Sequence, residues 1–398
     1  KCSTTGGSNT AVGYLALCDN TTGDSNTAVG SLALYLGTTV RFNTAIGNAA
    51  MASATTANNN VAVGHTALNS QTTGIANTVV GSDAARGTTT GQCNTVVGFA
   101  ALRCNTAQSG LTAIGTCALY CNTSGEKNLA VGLKSLFNNS VGDCNTALGY
   151  QSMQSNTSGS SNTAIGSTAL VNNTTGNSNT AVGRLAMYDN TTGADNTAVG
   201  VSALTNNITG NDNTAVGFTA LSANTTGNYG TALGFGALFF NTTGIHNTAL
   251  GTRAMCRNNT GDNNVAIGSS ALRLASGSCD VVAIGYLSAY NNQGSRIIAI
   301  GSEVLYNNAS SVQTAVGIGY QALCNNTTGA SNIGIGYTAL FSNTTGNYNT
   351  GIGGDAIFGN TTGTGNTALG YCAGRQNITG DYNVSIGYRA GYGNKVGS

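Results

Sequence analysis

The chain has no proline and no tryptophan, and charged residues make up only 7% of its 398 positions. With a net charge of +1 there is no basic field to hold a phosphate backbone, which argues against nucleic-acid binding. Disorder is also disfavoured, because disordered segments pair high charge with low hydrophobicity, and 40% of this chain is hydrophobic. No run of eighteen apolar residues occurs, so no membrane-spanning helix is expected. No signal peptide is visible, and the sequence starts at Lys1 rather than Met, as a processed or partial product would.

The residues of most catalytic and metal sites are equally scarce. Only two histidines occur, His65 and His246, far apart in sequence. Neither has a carboxylate or cysteine at metal or triad spacing, so both read as surface residues. Asp and Glu stand singly, which argues against a paired-carboxylate site. No C-x-x-C occurs among the 11 cysteines, which removes zinc-ribbon and thioredoxin-like readings. Strings such as Gly334-Ile335-Gly336 look like phosphate-loop fragments, but they lack any βαβ context. No cofactor, metal or catalytic residue is therefore expected, and an enzyme is the least favoured class.

What is present is glycine, 58 residues of it, and a repeat. Asn-Thr-Ala-Val-Gly occurs at Asn9–Gly13, Asn26–Gly30, Asn179–Gly183 and Asn196–Gly200. Its glycine returns every 17 residues from Gly13 to Gly387, 23 times in all. A 16-residue step to Gly301 is repaired by an 18-residue step to Gly319. Numbered 0 to 16, the unit reads N-T-A-V-G-x-x-A-L-x-x-N-T-T-G-x-x.

Seventeen residues are too few for two helices and a turn, and Gly, Asn and β-branched residues disfavour helix. The unit suits one coil of a β-solenoid, in which each coil buries its apolar face only by stacking on its neighbours. The expected fold is all-β: residues 1–398 as one continuous parallel β-solenoid of about 23 coils, without evident caps. At about 4.8 Å per coil it would be a rod roughly 110 Å long. Positions 1 and 3 share one face of a strand and carry Thr and Val, Ile or Leu, so that face is expected to point inward. Leu or Met at position 8 is expected to fill the core from the opposite wall. The glycines at 4 and 14 are expected where a turn needs positive φ.

The exceptional residues test this frame. Every charged residue except Lys395 falls at positions 5, 6, 9, 10, 15 or 16, the pattern of solvated rims around an uncharged core. Every Tyr and Phe falls at 5, 9, 10 or 16. Tyr14, Phe99, Tyr150, Phe218, Phe235, Tyr286, Tyr337 and Tyr371 form one column at position 5. Tyr35, Tyr120, Phe137, Tyr188, Tyr290 and Phe341 form another at position 9. With small position 7 between them, these columns are expected to make an outer contact stripe. The plainer reading is that β-prone residues decorate a strand edge. Cys104 and Cys121 share position 10 of adjacent coils and are a candidate disulfide; Cys2 and Cys18 are a weaker diagonal pair.

Asn20, Asn173, Asn190, Asn224, Asn241, Asn326, Asn343 and Asn360 form a column at position 11, each in an Asn-x-Thr sequence. Two readings compete. Stacked amides would hydrogen-bond from coil to coil, or the side chains would point outward and accept glycans. Repeat geometry favours the ladder. The same Asn-Thr-Thr-Gly turn lacks the Asp that calcium-binding repeats need.

At N-[TS]-A-[VI]-G-x-x-A, as in Asn162–Gly166 and Asn179–Gly183, the repeat resembles the heads of trimeric autotransporter adhesins. These are the YadA-like, Hep/Hag repeats, and related arrays occur in phage tail fibres. The resemblance implies a left-handed parallel β-roll, three chains side by side, and binding to surfaces or matrix. This coil is longer, at 17 residues, and no coiled-coil neck or anchor barrel is recognisable. The expected function is a structural or adhesive extracellular fibre, at the cell surface or on a virion. Its expected partner is itself, as homo-oligomer or polymer, joined head to tail where uncapped ends meet. The alternatives are an adhesin head or tail fibre binding glycans or surface matrix, or an ice-binding solenoid presenting Thr columns at 12 and 13.

Overall fold

The computed structural model describes residues 5–309, 314–393 and 395. It comprises two units, Lys1–Asn196 and Thr197–Ser398. Each is a parallel β-solenoid, and no helix occurs among the described residues. The first unit holds eleven short strands, from Thr10–Val12 to Thr180–Val182, and the second twelve, from Thr197–Val199 to Val384–Ile386. Each strand pairs in register with the strand one coil away: Thr163 with Thr180, Ala164 with Ala181, Ile165 with Val182.

The strand faces the opposite way from the sequence expectation. Alanine at position 2 points inward: Ala28, Ala45, Ala164 and Ala215 are fully buried. Positions 1 and 3 face solvent, as in Thr163–Ile165, where only the central residue is buried. The reason is room. The opposite wall contributes Leu or Met at position 8 and Ala at position 7, and both are fully buried, as in Ala169 with Leu170 and Ala186 with Met187. A narrow interior largely filled by leucine favours a small residue here; Val79 and Val96, fully buried at the same position, lie where Ala85 stands in the leucine column.

That opposite wall is not a strand. Positions 6 and 8 adopt left-handed backbone, for example Leu32 (φ 59°) and Leu34 (φ 50°), and position 16 does too, as Ser25 (φ 58°). Such a conformation costs a non-glycine residue about 1–2 kcal/mol. It turns the N–H groups along the stacking direction. Leu34 N–H donates to Ala50 O at 3.0 Å, and Leu32 N–H donates to Tyr14 O at 2.9 Å. Burying the leucine yields about 1.5–3 kcal/mol and keeps these donors satisfied, so the wall is favourable despite the torsion.

The two glycine columns differ in their reason. Gly166, at position 4, has φ +138°, and a Cβ there would sit 2.6 Å from Gly183 O. Gly176, at position 14, is outside the positive-φ set. It is small because a Cβ would collide with Gly193 O in the next coil and with Asn173 Oδ1.

Where the repeat length shifts, the strand lengthens. Val281–Ile284, Ile297–Ile300 and Ala315–Ile318 each span four residues. In all three, position 0 is a buried apolar residue in place of Asn.

Candidate functional site

Two surfaces and two buried columns could carry function. The Asn column at position 11 is a ladder. Asn173 is fully buried, and its Nδ2 donates to Asn156 Oδ1 at 2.8 Å and to Gly176 O at 3.0 Å. Asn190 Nδ2 donates in turn to Asn173 Oδ1 at 2.8 Å. In the second unit, Asn224 donates to Asn207, Asn241 to Asn224, Asn343 to Asn326 and Asn360 to Asn343 at 2.7–3.0 Å. Asn20 bonds within its own turn, with Nδ2 to Gly23 O at 3.0 Å. All eight candidates are buried, so they cap turns and leave no path for a glycan. The ladder is interrupted at Ala275, which follows Asn258 in the column and leaves Asn258 Oδ1 without a partner; it resumes where Asn308 Nδ2 donates to Asn292 Oδ1.

A second ladder went unread in the sequence. Asn at position 0, the first residue of the Asn-Thr-Ala motif, is buried as well wherever it occurs from Asn26 to Asn366, and half-buried at Asn9. Asn162 Nδ2 donates to Gly176 O at 2.9 Å, and its backbone N–H donates to Asn145 Oδ1 at 3.0 Å. The signal was available: a polar residue repeated beside a core strand, without charge, must be satisfied internally.

The strand face is the most regular exposed surface. Thr at position 1 and Val, Ile or Leu at position 3 project from every coil, without a single charged side chain. Ile46, Val97, Ile114, Leu148, Leu233 and Leu250 are all exposed. With strands about 4.8 Å apart, the stripe is roughly 50 Å by roughly 10 Å in each unit, on the order of 500 Å². That is at the upper end of what a soluble chain leaves uncovered.

The second surface is the rim of positions 5, 6, 9 and 10. The position-5 rings Tyr14, Phe99, Tyr150, Phe218, Phe235, Tyr286, Tyr337 and Tyr371 are exposed. The position-9 rings Tyr35, Tyr120, Phe137, Tyr188, Tyr290 and Phe341 are half-buried. Position 7 between them is in the core, so the expected aromatic–Ala–aromatic outer face does not form. Instead the rings stack along their columns. Phe218 lies 5.6 Å from Phe235, Tyr120 lies 5.1 Å from Phe137, and Phe341 lies 5.2 Å from Phe358, all near parallel. Stacking takes up ring faces and turns ring edges outward.

Cys104 and Cys121 are free thiols. Backbone pairing does bring their coils together, with Cys104 N–H donating to Tyr120 O at 3.0 Å. Cys104 is exposed, whereas Cys121 is half-buried. Burial pushes the Cys121 thiol up, and neighbouring Cys104 and Cys117 add to it. Cys2 lies outside the described residues.

His65 has more company than its sequence position suggests. Thr66 Oγ1 lies 3.4 Å from His65 Nδ1 and donates to Asp83 Oδ1 at 2.6 Å. That hydroxyl bond, the larger influence, and the nearby Arg86, Arg103 and His65 hold Asp83 below its ordinary value. The hydroxyl proton is committed to a carboxylate rather than to the imidazole, which is the wrong polarity for an activated nucleophile. His246 stacks on Tyr229 at 4.8 Å. No group of three His, Cys, Asp or Glu that could hold a metal occurs among the described residues. Nor is any helix there long and apolar enough to cross a membrane. Compared with protein-family models and with curated proteins, the chain matches none.

Proposed function

We propose that the chain is a non-enzymatic structural or adhesive fibre protein that acts outside the cell, at a cell surface or on a virion. The observation that carries this reading is the uncharged Thr and Val/Ile/Leu stripe, repeated in register on every coil. Two Asn ladders and the coil-to-coil backbone bonds satisfy most of the interior, which supports coils that resist shear and protease without needing a ligand. An apolar stripe that leaves the interior complete is a surface for association. Its partner in this reading is a second copy of the chain, face to face, since a flat array of identical rows matches itself. A face-to-face pair of single-unit stripes would bury on the order of 1,000 Å² in total, the low end of specific interfaces.

The test is electron microscopy and sedimentation of the full chain beside a variant carrying Ile114→Lys, Ile165→Lys, Leu233→Lys and Leu250→Lys. The expected result is fibres or lateral assemblies for the parent chain and dispersed particles for the variant. Parent chain that stays monomeric at every concentration would overturn the reading.

A further inference from the structure

One stretch of the rim breaks the repeat. In the second unit, Phe218, Phe235, Phe239 and Phe240 meet Arg253, Arg257 and Arg273 around a hollow of about 470 Å³. A second hollow of about 550 Å³ is lined by Phe240 and Arg257 as well, with Thr242, Asn259, Leu274 and Ser276. The two hollows share Phe240 and Arg257 and so adjoin, forming a trough along the rim.

Its chemistry is one-signed. From Thr197 to Ser302, positions 5, 6, 9 and 10 carry three arginines and no carboxylate. None of the three is in an ion pair among the described residues, unlike Arg41, Arg86 and Arg375. All three line the first hollow beside Cys256, and their charges oppose the rise that burial gives its thiol. Arg273 lies over the Tyr290 ring, 5.9 Å from its centroid. Arg253 also lies over the Phe235 ring, 5.5 Å from its centroid. This leaves the edges of its guanidinium to donate outward. Phe239 and Phe240 meet edge to face at 4.6 Å, which fixes the apolar wall.

We infer that this trough is a binding site for an acidic saccharide chain, carboxylated or sulfated. Guanidinium forks match the planar carboxylate and the sulfate oxygens, and the edges of the stacked Phe218 and Phe235 with the Phe239–Phe240 wall offer apolar surface to the C–H groups of sugar rings. A polynucleotide is the poorer fit, because Phe218 and Phe235 stack on each other and Arg253 covers Phe235, which leaves little ring face for bases. The site stands independently of fibre formation, since a chain that assembles without a ligand would pass the microscopy test and fail here.

The experiment measures binding of labelled oligogalacturonate and heparin-derived oligosaccharides to the full chain, with a neutral cello-oligosaccharide and oligothymidylate as comparisons. Binding of one or both acidic saccharides but not the neutral one is expected, weakened by added salt. Arg253→Gln and Arg273→Gln should each weaken it about tenfold. Lys134→Gln, on the same rim in the first unit, should leave it unchanged. Equal binding of the neutral sugar, indifference to both arginine variants, no binding of either acidic saccharide, or tighter binding of oligothymidylate would each overturn the assignment.

Discussion

Replacing Asn173 by Ala separates the ladder from the glycan reading. The side chain donates to Asn156 Oδ1 and Gly176 O and accepts from Asn190 Nδ2. Gly176 O keeps a second donor, Asn162 Nδ2 at 2.9 Å, so it is not stranded. Asn156 Oδ1 loses its donor and Asn190 loses an acceptor, both in buried positions. Each such loss costs about 1–3 kcal/mol, and partial entry of water offsets some of it. The expected total is about 3 kcal/mol. Asn173→Asp keeps the shape but turns the donor into an acceptor facing Asn156 Oδ1, and should cost more at neutral pH. Asn172→Ala, which loses only a half-buried bond to Asp189, should cost no more than about 0.5 kcal/mol. Because stacked coils unfold locally, the assay is hydrogen exchange resolved to single coils, alongside denaturant unfolding. A change below about 0.5 kcal/mol for Asn173→Ala, with unaltered exchange in the flanking coils, would refute the ladder argument, as would a glycan on Asn173.

Further outcomes follow from the same geometry. Ala164→Leu should overfill the interior and cost about 1–3 kcal/mol, while the outward Ile165→Thr should cost less than about 1 kcal/mol; melting temperatures decide. Gly166→Ala, forced into a glycine-only torsion and against Gly183 O, should cost about 3 kcal/mol or more. Ala275→Asn should extend the ladder and stabilise by about 1 kcal/mol, because it offers a donor to Asn258 Oδ1. Burial pushes the Cys324 thiol up to about 11, so alkylation at pH 8 should label exposed Cys93 first and Cys324 last. The unfolded thiol ionises near pH 9, so this group's contribution to stability is intact below that and is lost as pH rises through about 11.

Much was legible before any coordinates. The 17-residue period, the confinement of charge to six rim positions and Leu or Met at position 8 named the solenoid and one core column. Each rests on a one-dimensional regularity, and stacking identical coils turns it directly into a column. Three features were decided only in three dimensions. Alternation along a strand states that positions 1 and 3 share a face and position 2 has the other, but it is symmetric about which face is inside. Hydrophobicity favoured Val and Ile; the narrow gap to Leu170 and its equivalents favoured Ala164 and left Ile165 in solvent. Asn162 and Asn173 lie eleven residues apart in sequence, yet their amides meet on one carbonyl, Gly176 O. Cys104 and Cys121 share a column, yet one thiol is exposed and the other half-buried, a difference that column position alone does not state. The sequence by itself determined the period and the sorting of residues into columns, because both are properties of spacing. Only the tertiary structure decided inside from outside and which amides pair, because those depend on the room and the partners that neighbouring coils provide.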